Sequence, residues 1–594
     1  MTVHDPLIEY ENGLRVLQGS IEHARLNYHL GGMVLALAVA LFLVLGVYAI
    51  RQQVAYWWPS LPIPVAAVSA RRYRQQRESR FRMSRLQRFY ERGIERLQGK
   101  WTGFGNTGEE FSDPDHVYAE DLHIFGEGSL FQLVCEARTS IGRRGLADYL
   151  LASPSVEETR LRQEAVRELS ERRDLRERIA LLGASDVSES HWNTFGDWLN
   201  SPAFGFPPVL RVIAAVTSTA LALVVLAGAV GLIPWIEVVI WISPLFAFHF
   251  IVGLIFRKRV NAMEEWVRPM SAETQVLREG LRLIEMESFR SARLRRLGNQ
   301  VRDAANGVHG LERLLNALNE RRKEWFYTPS LLLLLGMQLC MAIEGWRERN
   351  GESLKTWLSA WAEFEALNSL AAYAWENPDN TFPELTHEDA LFEARDLGHP
   401  LLPRAACVVN YVELNRRNRF YVISGSNMSG KSTLLRAIGM NAVLASAGAP
   451  VRAATLRMSR LSVCASMSVV DSLMNAKSRF LAEVDRLRQT IEAAESGPVL
   501  FLVDEIFSGT NSRDRRIAAE AVIRTLIDRG AIGALSTHDL SLTEIPAKVE
   551  LPGVNVHMGA RDGAGPMDFD YLLKPGATTE SNALAIARMA GVPV

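Results

Sequence analysis

Four apolar stretches stand out from a chain that otherwise alternates charged and apolar residues at helical spacing. Residues 31–50 contain twenty residues without a charge, about the length that crosses the hydrocarbon core of a bilayer. Residues 212–233 and 235–256 form two more long apolar runs, in which Glu237 is the one acidic residue, and because only Pro234 separates them they predict a tightly turned helical hairpin. Residues 54–70 are apolar but contain three prolines. They predict either a returning membrane helix or a shallow re-entrant segment, and the flanking charge favours the return.

Arginine and lysine follow both pairs of apolar stretches. Residues 71–82 are rich in arginine and 257–259 read Arg-Lys-Arg, whereas the turns inside the two pairs carry one arginine and none. Membrane proteins carry their excess of positive residues on the cytoplasmic side. We therefore expect a multi-pass protein of the cell (inner) membrane, in contact with the lipid bilayer, with both termini and the large polar regions in the cytoplasm. A shorter apolar run, 331–343, has 13 residues and predicts a buried helix instead.

The pattern of elements divides the chain into three parts. Residues 1–75 form a membrane anchor, and residues 76–389 predict an all-α domain that the second membrane hairpin interrupts. From about residue 390 to 594, short apolar strands replace the helical period, which predicts an α/β domain.

The composition argues against two kinds of function. Lys+Arg 66 against Asp+Glu 67 gives no general basic character that would favour nucleic-acid binding, and the four cysteines form no CxxC pair typical of zinc sites.

The α/β part contains a strand, a glycine-rich loop and a helix in the order that phosphate-binding loops require. An apolar strand over 419–425 leads into GxxxxGKS at 425–432, and a helical pattern follows. Backbone N–H groups of such a loop cradle phosphate, while Lys431 would reach the β- and γ-phosphates of ATP and Ser432 would ligate Mg²⁺. The predicted nucleotide-binding residues are Gly425, Ser426, Asn427, Met428, Ser429, Gly430, Lys431, Ser432 and Thr433.

Two further strand ends carry residues suited to ATP hydrolysis. The apolar stretch 497–506 predicts a strand that ends in Asp504 and Glu505, so Asp504 can hold the Mg²⁺ shell and Glu505 can polarise the attacking water. Another apolar strand ends before His538, which we predict to sense the γ-phosphate. All three motifs lie at carboxyl ends of strands, where open α/β sheets bind ligands. The sequence therefore predicts a Mg²⁺-dependent ATPase.

These motifs resemble those of the MutS family of DNA mismatch repair ATPases, whose ATPase domain is of the ABC type. GSNMSGKST at 425–433 is similar to the family's GPNMGGKST, and DEIFSGTNSRD at 504–514 is similar to DEIGRGTSTxD. STHDLSL at 536–542 and NAKSRFLAEVDRL at 475–487 resemble two further family segments. The resemblance implies a homodimer through the ATPase domain, in which Ser478 contacts the γ-phosphate bound to the other chain, and residues 508–511 take part in that contact.

The resemblance extends upstream more weakly. Residues 128–169 look like the start of the family's core and lever domain, and 310–318, 363–371 and 398–402 match later pieces. The order of membrane pair, core, hairpin, lever and ATPase resembles the membrane-associated MutS-related proteins of bacteria. We expect departures from the family too: no mismatch-reading domain with its Phe-x-Glu, no DNA clamp, no dimerisation extension, and Cys407 where the family often places an aromatic residue.

Two functions remain open from the sequence. One is a MutS-like enzyme held at the membrane, in which ATP-driven dimerisation moves lever helices that grip mismatched DNA for repair. The other is an ABC-class motor that moves its own membrane helices or a membrane partner without DNA. A nucleotide-binding scaffold without turnover conflicts with the complete set of Lys431, Ser432, Asp504, Glu505 and His538.

Overall fold

Within the residues that the structure describes, the protein is mostly helical and has two β-sheets near its C-terminal end. The computed structural model describes residues 5–55, 57–183, 194–321, 330, 333–426, 428–467, 479–508, 511–548, 551–560 and 568–578. The helices are α1 Pro6–Ile50, α2 Pro62–Leu97, α3 Leu130–Val134, α4 Ser140–Leu151, α5 Val156–Ser170, α6 Arg173–Ala180, α7 Thr194–Asn200, α8 Pro208–Ala229, α9 Trp235–Met286, α10 Ala292–Gln300, α11 Ala304–Glu320, α12 Leu335–Glu376, α13 Lys431–Ala447, α14 Arg479–Ser496, α15 Ser512–Asp528 and α16 Ile545–Lys548. The strands are β1 Glu384–Thr386, β2 Phe392–Leu397, β3 Asn410–Leu414, β4 Phe420–Ser424, β5 Thr455–Ser459, β6 Ser462–Ser466, β7 Val499–Asp504, β8 Ile532–Thr537, β9 Gly553–His557 and β10 Lys574–Pro575.

Three of the described helical segments are long and apolar enough to cross a membrane, by length and composition alone: Gly32–Ile50, Val209–Ala229 and Trp235–Trp266. Residues 54–70, the expected second span, are not among them. The chain turns after α1, passes through a 3₁₀ turn at Trp58–Ser60, and becomes α-helical only at Pro62. Pro59 lies in this 3₁₀ turn, and Pro62 and Pro64 lie in the first turn of α2, where proline is tolerated because the first N–H groups of a helix have no partner within it.

Helices α1 and α2 pack antiparallel along their length and form what we call the N-terminal hairpin. Near its free end, a Cβ atom on Gly93 would come within 2.3 Å of the Tyr10 ring, so only glycine allows this approach. Further along, the ring of Tyr73 lies beside Gly32, where the apolar part of α1 begins. The arginine run that opens at residue 71 therefore lies level with the start of that apolar part.

Helices α8 and α9 form the second hairpin, whose turn includes Gly231 in the left-handed region at φ +78°. Inside it, the imidazole Nε2 of His249 lies 2.8 Å from Thr217 Oγ1, and the histidine is buried. Helix α9 does not end with its apolar part. It continues to Met286, so one helix of 52 residues joins the hairpin to the helical domain.

The long helices α9 and α12 meet at the amino end of α4. Glu365 of α12 accepts hydrogen bonds from the N–H groups of Arg138 (2.7 Å) and Thr139 (3.2 Å), and from the Thr139 hydroxyl. Glu273 of α9 accepts one from the N–H of Ser140 at 3.0 Å. Because the first N–H groups of a helix lack partners within it, these two carboxylates satisfy them from two other helices.

The described strands of the C-terminal domain form two sheets. One has the strand order β1-β5-β2-β3, and the other has the order β10-β9-β4-β8-β7-β6. In the second sheet β9, β4, β8, β7 and β6 are parallel neighbours, with α13 and α14 packed against it. Strand β1 pairs with β5 inside the first sheet, and Thr381 bridges Val451, so this sheet begins before the boundary predicted near residue 390.

Candidate active site

The loop between β4 and α13 has the backbone geometry that its glycines allow. Gly425 has φ +150° and Gly430, which precedes α13, has φ +97°. A Cβ atom on Gly425 would come within 2.2 Å of the Met558 carbonyl oxygen, so a side chain is excluded there. Met428 also has positive φ, and its side chain is exposed. Asn427 lies outside the described residues. The turn brings the amino end of α13 to the edge of the sheet, where a helix favours negative charge.

Lys431 lies folded back inside this loop. Its Nζ donates hydrogen bonds to the carbonyl oxygens of Gly425 (2.9 Å) and Ser426 (2.8 Å), and the residue is buried. Burial lowers the pKa of Lys431, while the carboxylates of Asp504 and Glu505 oppose that shift. A buried ammonium held by two carbonyl oxygens is suited to receive phosphate oxygens, because these would replace neutral acceptors by charged ones.

Two serine hydroxyls of the same loop are enclosed by the residues around them. The hydroxyl oxygens of Ser426 and Ser429 are buried and make no hydrogen bond with the described residues. Ser432 and Thr433 follow Lys431 in the first turn of α13, half-buried and exposed respectively. Buried hydroxyls usually find a partner, so these groups fit a ligand that carries several oxygen atoms.

The sheet order brings the three predicted strand ends together. Strand β8 lies between β4 and β7, with Ser424 opposite Thr537 and Asp504 opposite Ser536. The Ser536 hydroxyl donates a hydrogen bond to Asp504 Oδ1. The phosphate loop, Asp504 and the residue after Thr537 therefore share one edge, the carboxyl edge of a parallel sheet.

Glu505 and His538 contact each other at this edge. The His538 Nδ1 lies 3.1 Å from Glu505 Oε1, and both side chains are partly exposed to solvent. Glu505 has a left-handed backbone at φ +55°, and its N–H donates to the Ser536 carbonyl oxygen at 3.2 Å. Such backbone strain in a non-glycine residue is concentrated at functional sites. Here it turns the carboxylate away from the strand and towards His538.

A cavity of about 240 Å³ lies beside the phosphate loop. Its lining includes Gly430 and Thr433 from the loop, Cys407 from the segment before β3, and two residues that sequence reasoning missed, His399 and Tyr571. Burial lowers the pKa of His399 to about 4, so the imidazole is neutral at physiological pH. The cavity is suited to a flat, weakly polar group next to the phosphates, such as a nucleobase. His399 lies in GHPLL at 398–402, a segment that resembles the family, whereas no sequence pattern indicated a role for Tyr571.

The segment predicted to contact a second copy lies largely outside the described residues. Ser478 is one such residue, and so are 509 and 510 within the predicted 508–511 contact. The described helix α14 begins just after Ser478, and its buried Glu483 accepts a hydrogen bond from the N–H of Phe507. Arg515 donates from Nε to the Phe507 carbonyl oxygen at 3.0 Å. The chain after Glu505 is thus held by α14 and α15, a role for Glu483 that the sequence did not suggest.

The donors at this edge fit a magnesium ion that shares ligands with a phosphate. No three His, Cys, Asp or Glu residues converge as a metal site within the described ranges. Mg²⁺ in nucleotide sites takes only one or two protein ligands and completes its shell with phosphate oxygens and water. Asp504 and Ser432 are the residues of this edge that match that chemistry.

Comparison with known proteins adds a family assignment for the same region. Residues 421–594 match the family model of MutS domain V. A protein of Natronomonas pharaonis named DNA mismatch repair protein MutS is 33% identical over 249 residues, which cover 41% of this chain and 28% of that protein. Proteins of the same name from Methanosarcina mazei and Lactobacillus delbrueckii subsp. bulgaricus are 33% and 29% identical over 39% of the chain each. The chain spans little more than a quarter of the length of these relatives.

Proposed function

We propose that the chain is a Mg²⁺-dependent ATPase that converts ATP and water to ADP and phosphate, because its residues 421–594 match MutS domain V. The proposal depends on one observation, which is that the predicted residues lie together at the carboxyl edge of the second sheet. The phosphate loop, Asp504 and the Glu505–His538 pair all lie where the parallel strands β4, β7 and β8 end.

Each residue has a distinct role in the proposed reaction. Lys431 exchanges its two carbonyl partners for the β- and γ-phosphate oxygens of ATP. Ser432 and Asp504 would hold Mg²⁺, which supplies neutralisation of phosphate charge when it is bound. Glu505 orients and polarises the attacking water. His538 positions the Glu505 carboxylate and contacts the γ-phosphate.

The proposed site is completed by a second copy of the chain. The family resemblance assigns Ser478 of that copy to the γ-phosphate, and α14, which follows Ser478, is tied to Phe507 beside the site through Glu483. ATP bound between two copies would therefore add contacts that neither copy makes alone. ATP binding would drive dimerisation for this reason, and hydrolysis would release it.

We also propose that the three apolar helices and the return path over 54–70 anchor the chain in the cell (inner) membrane, with the C-terminal domain and both termini in the cytoplasm. Two observations support this. The hydrophobic side chains of these helices are largely exposed, and the positive residues 71–82 and 257–259 follow the apolar parts.

Two candidates remain for what the long helices act on. The names of the relatives imply mismatched DNA and a place in DNA repair. The second candidate is a motor that acts on membrane helices, and the continuity of α9 favours it. That helix runs from the apolar hairpin to the carboxylate contacts at α4, and α4 packs against α13, which follows the phosphate loop.

The deciding experiment measures ATP hydrolysis by the full chain in nanodiscs. DNA as partner predicts that a heteroduplex with a mismatch raises the rate, and that the gain falls steeply as salt rises. Equal rates of ATP hydrolysis with heteroduplex, with homoduplex and without DNA would favour the second candidate, a motor that acts on membrane helices. Lys431→Ala serves as the background control, and turnover retained by this variant would contradict the proposed phosphate-binding role itself.

A further inference from the structure

The chain that leaves β7 contains two residues in a backbone conformation that side chains disfavour. Glu505 has φ +55° and Phe507 has φ +52°, so both lie in the left-handed region. An L-residue is disfavoured there because its Cβ atom approaches the following carbonyl oxygen. Residues other than glycine keep this conformation only where surrounding contacts hold them. The contacts of Phe507 therefore help to decide where the Glu505 carboxylate lies.

Buried charged side chains hold the peptide groups on both sides of Phe507. The Phe507 N–H donates to Glu483 of α14, and the Phe507 carbonyl oxygen accepts from Nε of Arg515 at 3.0 Å. Arg515 also donates from Nη2 to the Ser508 carbonyl oxygen at 3.0 Å. Glu483 and Arg515 are both buried, and hydrogen bonds to charged groups are roughly twice as strong as those between neutral groups. The strained segment is therefore fixed from two helices, α14 and α15.

Arg515 also contacts the segment that follows His538. Its Nη1 lies 3.7 Å from Asp539 Oδ2. The other carboxylate oxygen of Asp539 accepts a hydrogen bond from the N–H of Ser541 at 3.0 Å, so Asp539 holds its own segment in place. One guanidinium thus bridges the segment after Glu505 and the segment after His538.

The contact between Glu505 and His538 depends on these two segments. Both side chains are partly exposed, so the packing of neighbouring side chains fixes their positions only weakly. Their 3.1 Å separation is then set by the backbone that carries them. The paired strands β7 and β8 align that backbone as far as Asp504 and Ser536, and Arg515 joins the two segments beyond the sheet.

We propose that Arg515 is a positioning residue for ATP hydrolysis, which keeps the Glu505 carboxylate beside His538 by holding both segments with one guanidinium. The role depends on the ATPase activity proposed above. Arg515 is buried and donates to protein carbonyl oxygens, so it acts through Glu505 and not by contact with the attacking water. A guanidinium suits this role, because its planar set of five N–H donors serves several acceptors at fixed angles.

A purely structural role for Arg515 gives a different result. Arg515 lies in the first turn of α15, so a structural role would lower stability and weaken ATP binding together. Positioning of Glu505 would lower the rate at which bound ATP is hydrolysed and leave ATP binding nearly unchanged. The separate effects on kcat and KM therefore distinguish the two roles.

The first test measures steady-state ATP hydrolysis by the full chain in nanodiscs with Mg²⁺. Arg515→Met keeps the length of the side chain and removes its donors, so we expect kcat to fall by about tenfold or more while KM changes by less than about threefold. Arg515→Lys keeps the charge but not the planar set of donors, so its kcat should also remain below normal. The matched control is Arg516→Met. Arg516 is the next residue on α15 and pairs with Glu544 at 3.3 Å, and because both side chains are partly exposed its removal should leave kcat unchanged.

The second test asks whether Arg515 acts through Glu505. Arg515→Met is combined with Glu505→Gln, and the rate of hydrolysis of bound ATP is measured in single turnovers. We expect Arg515→Met to slow the normal chain by about tenfold or more, but to slow the Glu505→Gln chain by less than about twofold, since the carboxylate that it positions is already absent. Equal factors in the two backgrounds, or a normal kcat for Arg515→Met, would overturn the positioning role.

Asp539→Asn provides a variant that leaves the buried guanidinium in place. The amide keeps an oxygen for the Ser541 N–H and removes the charge that faces Arg515, so we expect kcat to fall by about threefold with a normal KM. If Arg515→Met does not fold, a normal kcat for Asp539→Asn overturns the positioning role. Lack of ATP hydrolysis by the unsubstituted chain would instead overturn the proposed ATPase activity itself.

Discussion

The carboxylates of Glu505 and Glu365 have different roles because their surroundings differ. Glu505 is partly exposed and touches His538, so it is available to a water molecule at the sheet edge. Glu365 is fully enclosed by α4 and α12, and it holds the N–H groups of Arg138 and Thr139. The first arrangement is suited to proton transfer, while the second serves to join two helices.

Glu505→Gln should separate ATP binding from hydrolysis. The amide keeps the size of the side chain but cannot accept a proton, so we expect turnover to fall by about 100-fold or more while ATP is still bound. ATP should then hold the chain as a dimer, which light scattering in detergent would detect. Glu520→Gln, on the exposed face of α15, is the matched control. A variant that hydrolyses ATP at the normal rate would contradict the assignment of Glu505 as the base.

Glu365 should make stability depend on pH. Burial raises the pKa of Glu365 to about 7, and the hydrogen bonds from Thr139 and Arg138 oppose the shift only in part. Since the folded chain holds this proton more tightly than the unfolded chain, stability should fall as pH rises from about 4.5 to 7, by on the order of 3 kcal/mol. Glu365→Gln keeps an acceptor for the same N–H groups, so its thermal midpoint should fall less over this range. An unchanged pH profile in the variant would contradict this account.

Among the helices, the crossing of α4 and α12 is unusually close. A Cβ atom on Gly145 of α4 would come within 2.4 Å of the Ala362 carbonyl oxygen, and one on Gly142 would meet the Glu365 side chain. Both helices then continue to other contacts, α4 to α13 behind the phosphate loop and α12 to α9 and α11. The crossing therefore connects the proposed ATP site with the long helices.

Gly145→Ala should push α4 and α12 apart, since the atom it meets belongs to rigid backbone. We expect a loss of about 1–3 kcal/mol in the free energy of unfolding, measured by denaturant titration. Gly298→Ala on α10 is the control, because no atom lies within 4 Å of the added methyl group. There, alanine should stabilise the helix by about 0.5–1 kcal/mol. Equal effects of the two substitutions would contradict the close crossing.

At the scale of the whole molecule, one long helix joins the second apolar hairpin to the helical domain. Helix α9 spans about 78 Å at the usual rise of 1.5 Å per residue, since it contains 52 residues. Its first part is exposed and apolar, and its last part is packed among α11 and α12. This arrangement supports the proposal that the apolar end of α9 lies in a membrane while its other end lies in the cytoplasm.

The proposed topology predicts which residues a membrane-impermeant maleimide reaches. Gln53→Cys and Leu232→Cys lie in the exposed turns of the two hairpins, and Arg417→Cys lies on the surface of the C-terminal domain. In a background without the native cysteines, we expect the two turn positions to react in intact spheroplasts and the third to react only after lysis. Reaction of all three before lysis would contradict the orientation.

Taken alone, the sequence determined the local features of this protein. The strand–loop–helix order around Lys431, the helices of the middle region and the relation to the MutS family all follow from short patterns, and the family relation is confirmed. These features are readable because spacing along the chain reports directly on phosphate loops and helical periods. Only the tertiary structure decided what depends on distant segments. The contact of Glu505 with His538, the position of Tyr571 beside Gly430 and the contact of Arg515 with Asp539 each join residues far apart in sequence, and such contacts arise from packing, which leaves no periodic trace in the chain.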